Sequence, residues 1–175
     1  MNPEPRVIAE VGGSVVAEQG PLVLVIDRRT GPLSTLAFVL GVITLVVGGF
    51  GAVALLTSTP SAALGAAFLA VGVVVAAATL ATLRSIRRSR SKPLDTYAPV
   101  AVFDRGRRVF VDGNGSVVAP LDQVRFQRAM QLTSSSPKLV AATPNGMRVL
   151  VRGNPFSGGI GNLDEVLTAA VHGVR

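Results

Sequence analysis

No ionisable side chain occurs between Gly31 and Leu83, and this stretch is interrupted once, by Thr57-Ser58-Thr59-Pro60-Ser61. The flanking runs, Leu33 to Leu56 and Ala62 to Leu83, are each long enough as helices, at about 1.5 Å rise per residue, to cross a hydrocarbon core of about 30 Å. The expected fold is therefore a membrane α-helical hairpin of two transmembrane helices (33–56 and 62–83) joined to a small, mainly-β soluble domain with a C-terminal helix. The rest of the chain divides into an N-terminal arm (1–32), a basic juxtamembrane linker (84–95) and a β-rich domain (96–175).

Charge is distributed unevenly around the hairpin. The arm holds three Lys/Arg against four Asp/Glu, whereas residues 84–175 hold fourteen against six. Five of those fourteen, Arg84, Arg87, Arg88, Arg90 and Lys92, crowd the end of the second apolar run, and without them the net charge of +7 falls to +2. Cations packed at the mouth of a membrane helix fit topology and anionic lipid head groups better than nucleic acid, so no nucleic-acid partner is expected. Arg28 and Arg29 precede the first run and the connecting loop carries no charge. The positive-inside rule then places both termini on the cytoplasmic side of a multi-pass membrane protein. A polar arm ahead of the first apolar run is unlike a cleaved signal peptide.

Helices in lipid associate by close backbone approach at small residues. On the first, Gly41, Thr44, Gly48 and Ala52 recur every three or four positions, with Gly51 beside them; on the second, Gly65, Ala66, Ala70, Gly72 and Ala76 stand out. These nine are the expected helix-packing residues, within the hairpin and against helices of partner subunits. The polar groups inside the runs are hydroxyls such as Thr44, Thr79 and Thr82, which can bond back to a carbonyl one turn earlier. Transport or proton relay ordinarily requires ionisable or strongly polar groups inside the span, and here the polar groups are hydroxyls alone, so a stand-alone channel or transporter is not expected.

Beyond Pro93 the pattern becomes short alternating runs separated by turn residues: Tyr97–Phe103, Arg107–Val111, Ser116–Ala119, a run from Val124, Lys138–Thr143 and Met147–Arg152. Pro144-Asn145-Gly146 is the strongest hairpin signal. Ser134, Ser135 and Ser136 read as a loop. Leu163, Val166, Leu167, Ala170, Val171 and Val174 form one helical stripe over 163–173, with Asn162 placed to cap it and Glu165 to complete a capping box. The arm also reads as strands, over Arg6–Val11, Ser14–Glu18 and Leu22–Asp27, available to the same sheet. Six to eight short strands closed by an amphipathic helix resemble the pleckstrin-homology (PH) type of split barrel, which bacterial membrane proteins join to two-helix hairpins. A smaller α+β sheet is the alternative. The Ala/Val/Gly/Arg-rich composition is similar to that of actinobacterial proteins, and the layout resembles small accessory subunits of their respiratory supercomplexes.

The chain has no cysteine and one histidine, His172, so neither a thiolate site nor a multi-histidine metal centre can form. His172, in the last helical turn, reads as a terminal charge with no visible partner. Asp95, Asp104, Asp112 and Asp122 fall at turns, and Gly158-Gly159-Ile160-Gly161 lacks the lysine and hydroxyl of a phosphate-binding loop. No cofactor and no enzymatic activity are expected. The composition and patterning suggest a non-catalytic accessory or assembly subunit of a larger membrane complex, bound to integral membrane subunits and anionic lipid. The alternative is a membrane-anchored PH-like module that senses lipid or another ligand.

Overall fold

The computed structural model describes residues 4–57, 61–132 and 134–173. The central residues of the inter-run loop, 58–60, and the last apolar position of the C-terminal stripe, Val174, lie outside them. Residues up to Gly31 together with those from Lys92 onward form one compact unit, and Pro32–Ser91 form a second.

The first unit contains nine strands among the described residues: β1 (Arg6–Val11), β2 (Ser14–Gln19), β3 (Leu22–Asp27), β4 (Pro99–Asp104), β5 (Val109–Asp112), β6 (Val117–Pro120), β7 (Arg125–Gln131), β8 (Ser134–Thr143) and β9 (Gly146–Arg152). β1 to β6 form one antiparallel sheet in sequence order, and β7 to β9 form a second. Tight turns carry the order along: Gly12 adopts φ +64° between β1 and β2, a conformation that a side chain disfavours. The central join is between β3 and β4, where Leu22 pairs with Asp104, Val23 with Phe103 and Val25 with Ala101. The arm and the C-terminal part therefore share one sheet, and the long apolar segment is an insertion between two paired strands.

One core lies between the sheets. Val16, Val23, Val25 and Phe103 from the large sheet meet Leu139, Ala141 and Val151 from the small one. Phe103 stacks on its cross-strand partner Phe110 at 4.8 Å and meets Phe126 of β7 edge-on at 5.2 Å. Helix α4 (Leu163–His172) closes the core with Leu163, Leu167 and Val171, one residue per turn on a single face. Asn145, in the β8–β9 turn, donates from Nδ2 to the Val118 carbonyl at 3.1 Å and ties the small sheet to β6.

Several local expectations are corrected. Strand β8 begins at Ser134, so the three serines are strand rather than loop: Gln131 pairs with Ser134, and Ser136 is buried. Strand β4 begins at Pro99 instead of Tyr97, because a 3₁₀ turn at Leu94–Thr96 precedes it. Asn162 makes no side-chain cap. The chain arrives through Gly161 at φ +51° and leaves Asn162 at φ −104°, ψ 28°, outside the extended conformation of a capping residue.

The second unit holds two helices long and apolar enough to cross a membrane, spanning Gly31–Thr57 and Ala62–Arg90, with peak mean hydropathies of 2.5 and 2.3. The first comprises α1 (Gly31–Ile43), a π turn at Thr44–Gly48 and α2 (Gly49–Thr57). The second is α3 (Ala62–Arg90), capped by Ser61, whose Oγ accepts from the Leu64 amide at 3.2 Å.

Candidate functional surfaces

The two apolar helices meet along a glycine seam. A Cβ on Gly72 would lie 2.5 Å from the Gly48 Cα, and one on Gly65 would lie 2.8 Å from the Leu55 amide nitrogen. A Cβ on Gly51 would strike the Leu69 and Phe68 backbone. Gly51, Ala54, Gly65 and Gly72 are buried, and Phe50 and Phe68 meet edge to face at 5.0 Å beside them.

Of the nine packing residues read from the sequence, Gly48, Gly65 and Gly72 come together here. Thr44, Ala52 and Ala76 are half-buried. Ala66 and Ala70 are exposed, and nothing lies within 4 Å of a Cβ placed on Gly41. The π turn explains the first helix. It adds one residue to the ladder, which rotates everything after it by about 100° relative to what precedes it. A single stripe through Gly41, Thr44, Gly48 and Ala52 cannot then stay on one face, and the seam continues instead through Gly51 and Ala54. Thr44, Thr79 and Thr82 donate to the carbonyls of Leu40, Val75 and Ala78 at 2.8 to 2.9 Å, the back-bonding expected of them.

The basic cluster is not a loose linker. Helix α3 continues through Arg84, Arg87, Arg88 and Arg90, leaving only Lys92 beyond its end. No glycine or proline intervenes before Pro93, arginine favours helix, and cations suit a helix C-terminus. All five cations are exposed, and Arg84, Arg87 and Arg88 share one face at helical spacing. Arg28, by contrast, is buried in the β unit, where Nη1 donates to Glu10 Oε1 at 2.8 Å. Its charge is matched there, so of the two arginines ahead of the first helix only Arg29 is left exposed.

An open groove of about 350 Å³ runs between β7 and α4, lined by Asp122, Val124, Arg125, Phe126, Gln127, Thr168 and His172. His172 does have partners: Nε2 donates to the Val124 carbonyl at 3.1 Å, and its ring lies 6.0 Å from that of Phe126. Asp104 and Asp112 accept backbone amides of Arg107 and Asn114 in their own turns, at 2.9 and 2.8 Å. Gly158, Gly159 and Gly161 all take positive φ and carry Ile160 into the core, which accounts for the glycine run structurally. Among the described residues no group of three or more His, Asp or Glu side chains is gathered as a metal site would require.

Beside this groove Arg128 holds Asp164 by two bonds, from Nε at 2.7 Å and Nη2 at 2.8 Å. The hydrogen bond from Arg128 holds the Asp164 carboxyl below its usual range, and Asp164 in turn raises Arg128. A carboxylate with a lowered folded-state value stabilises the fold above the unfolded value of about 3.9 and loses that contribution as pH falls through the folded one. Arg128→Gln is accordingly expected to speed hydrogen exchange of the α4 amides at about pH 7, and the difference between variant and parent should shrink as pH falls below the usual carboxylate range. A difference that does not shrink as the pH falls would refute the ion pair as its source.

No protein-family model, curated protein or solved structure matches this chain.

Proposed function

We propose that this chain is a non-catalytic accessory or assembly subunit of a larger bacterial inner-membrane complex. In this reading the two apolar helices cross the membrane, both termini are cytoplasmic, and the β unit covers the cytoplasmic face of a partner. The observation that carries it is the insertion of the helices between paired strands β3 and β4. Residues 22–27 and 99–104 must lie on one side of any bilayer, so the segment between them crosses it an even number of times. The helices keep only 11% of their apolar windows buried against protein, and Leu45, Leu56, Val73 and Val74 stand outward. This surface calls for lipid or partner helices. A stretch from Gly31 to Leu83 without an ionisable group favours association over transport. Two sheets around one core with a C-terminal helix support the PH-like layout, with nine strands in place of the six to eight expected.

The second reading, a membrane-anchored lipid- or ligand-sensing module, draws on the helical presentation of Arg84, Arg87 and Arg88 and on the β7–α4 groove. One experiment separates the two. Extracted at native levels in mild detergent, the chain is expected to run with other integral membrane subunits, and to do so even when Arg84, Arg87, Arg88, Arg90 and Lys92 are all replaced by glutamine. A free monomer would overturn the accessory role. If that monomer also loses anionic-liposome binding on the same replacement, the sensing role is favoured.

A further inference from the structure

The end of the β unit at which the chain departs into the helices is stitched together by side-chain amides. Asn154 donates from Nδ2 to the Gly31 carbonyl at 2.9 Å. Gln131, at the end of β7, donates from Nε2 to the carbonyls of Gly153 at 2.9 Å and Ser136 at 2.8 Å. The β7–β8 connection therefore lies at the same end of the unit as Gly31.

Two large apolar side chains flank Gln131 there, Met130 at 79% exposure and Leu132 fully exposed. A single exposed apolar side chain calls for no explanation, but two large ones side by side at the end where the chain departs do. One row back, on the sheet face of Ala129 and Gln131 that alternates with the face of Met130, the half-buried Lys138 and the exposed Arg152 stand in one register row with Ala129. That row lies two residues back along β7 from Gln131, about 7 Å at 3.3 Å per residue. The neighbouring rows of this sheet face carry Arg125 and Gln127 and no carboxylate. Like charges opposite one another in a sheet are unfavourable, and an anionic surface removes the conflict.

We infer that the β7–β8 connection is a membrane-docking element. Met130 and Leu132 enter the headgroup layer of the bilayer that the hairpin crosses, and Lys138 and Arg152 contact anionic lipid phosphates. Apolar anchors with cations a step behind match the layering of an interfacial contact. The inference rests on the membrane reading of the hairpin.

The cysteine-free sequence makes the test direct. Single Met130→Cys, Leu132→Cys, Arg107→Cys and Val74→Cys versions of the full chain are labelled with an environment-sensitive fluorophore and reconstituted into phosphatidylglycerol-containing vesicles. Arg107 follows β4, whose first residue is the one nearer the hairpin, so it marks the opposite end of that strand. Val74 marks the hairpin itself. Labels at 130 and 132 are expected to shift to the blue and be quenched by headgroup-region quenchers, the label at 107 to do neither, and the label at 74 to be quenched by deep ones. Adding Lys138→Gln and Arg152→Gln should move the docked-to-undocked ratio toward undocked by up to roughly 30-fold. If 74 is quenched while 130 and 132 match 107, docking is refuted and the membrane reading stands. Protection of 130 and 132 in native membranes but not in pure lipid would assign the element to a protein partner and equally refute docking. An unquenched label at 74 would overturn the membrane reading, and docking with it.

Discussion

Residues 96–175 expressed alone will stay unfolded, although they contain β4 to β9 and α4, whereas a chain with 32–91 replaced by a short Gly/Ser loop will fold as a soluble domain. The fragment lacks the β3 partner of β4 and the fully buried Val16, Val23 and Val25. Burying a valine of this kind stabilises a fold by roughly 1.5–3 kcal/mol, so the loss of all three amounts to roughly 4.5–9 kcal/mol. That is comparable with the whole stability of a typical domain, about 5–15 kcal/mol. Excising the helices removes none of this, because Ile26 and Pro99 are already register partners and paired strands lie only about 5 Å apart. Near-UV circular dichroism and amide dispersion in NMR spectra will tell the two proteins apart. Cooperative unfolding of 96–175 by itself would show that the large sheet does not depend on the arm.

Replacing Gly72 with isoleucine will drive the two apolar helices apart. The new Cβ would lie 2.5 Å from the Gly48 Cα and 2.9 Å from its amide nitrogen, and backbone atoms cannot swing aside as a flexible side chain can. Interaxial spacing should move toward the ordinary 8–10 Å, widening the separation between spin labels at Val46→Cys and Val74→Cys by about 2 Å or more. Without close backbone contact the pair also loses the packing that holds helices together in lipid. Gly41→Ile serves as the control, since a Cβ there has nothing within 4 Å. Equal label distances in the Gly72→Ile chain and its parent would refute the seam.

Local pattern carried much of the fold. Alternation and turn residues locate most strands to within a residue or two, and the stripe of Leu163, Leu167 and Val171 marks the face of α4 that is buried. What escaped depends on remote partners or on an irregular backbone. Alternation says which face of β3 is buried but not that β4, on the far side of the helices, is its neighbour. The seam was half-legible: its glycines were visible, yet the π turn at Thr44–Gly48 has no sequence signature and shifts the face to Gly51 and Ala54. Asn162 looked like a cap, but the positive φ of Gly161 sets it in another conformation. The surface containing Met130 and Leu132 could not be read at all. Both residues fit a strand pattern, and only the bonds of Gln131 and Asn154 place them beside the point where the chain departs.

The pairing of β3 with β4 also imposes an order on synthesis. When Asp27 leaves the ribosome, three strands exist but the core residues that cover them, beginning with Ala101 and Phe103, do not. The N-terminal strands must wait, with an open edge, until the whole hairpin and the first strand beyond it have been made. If the hairpin crosses a membrane as proposed, a chain that inserted only one of its two helices would leave β3 and β4 on opposite sides of the bilayer and could never close the sheet. In that proposed topology the β fold would act as a check on membrane insertion, because only correctly threaded molecules could bury Phe103 and become resistant to proteolysis.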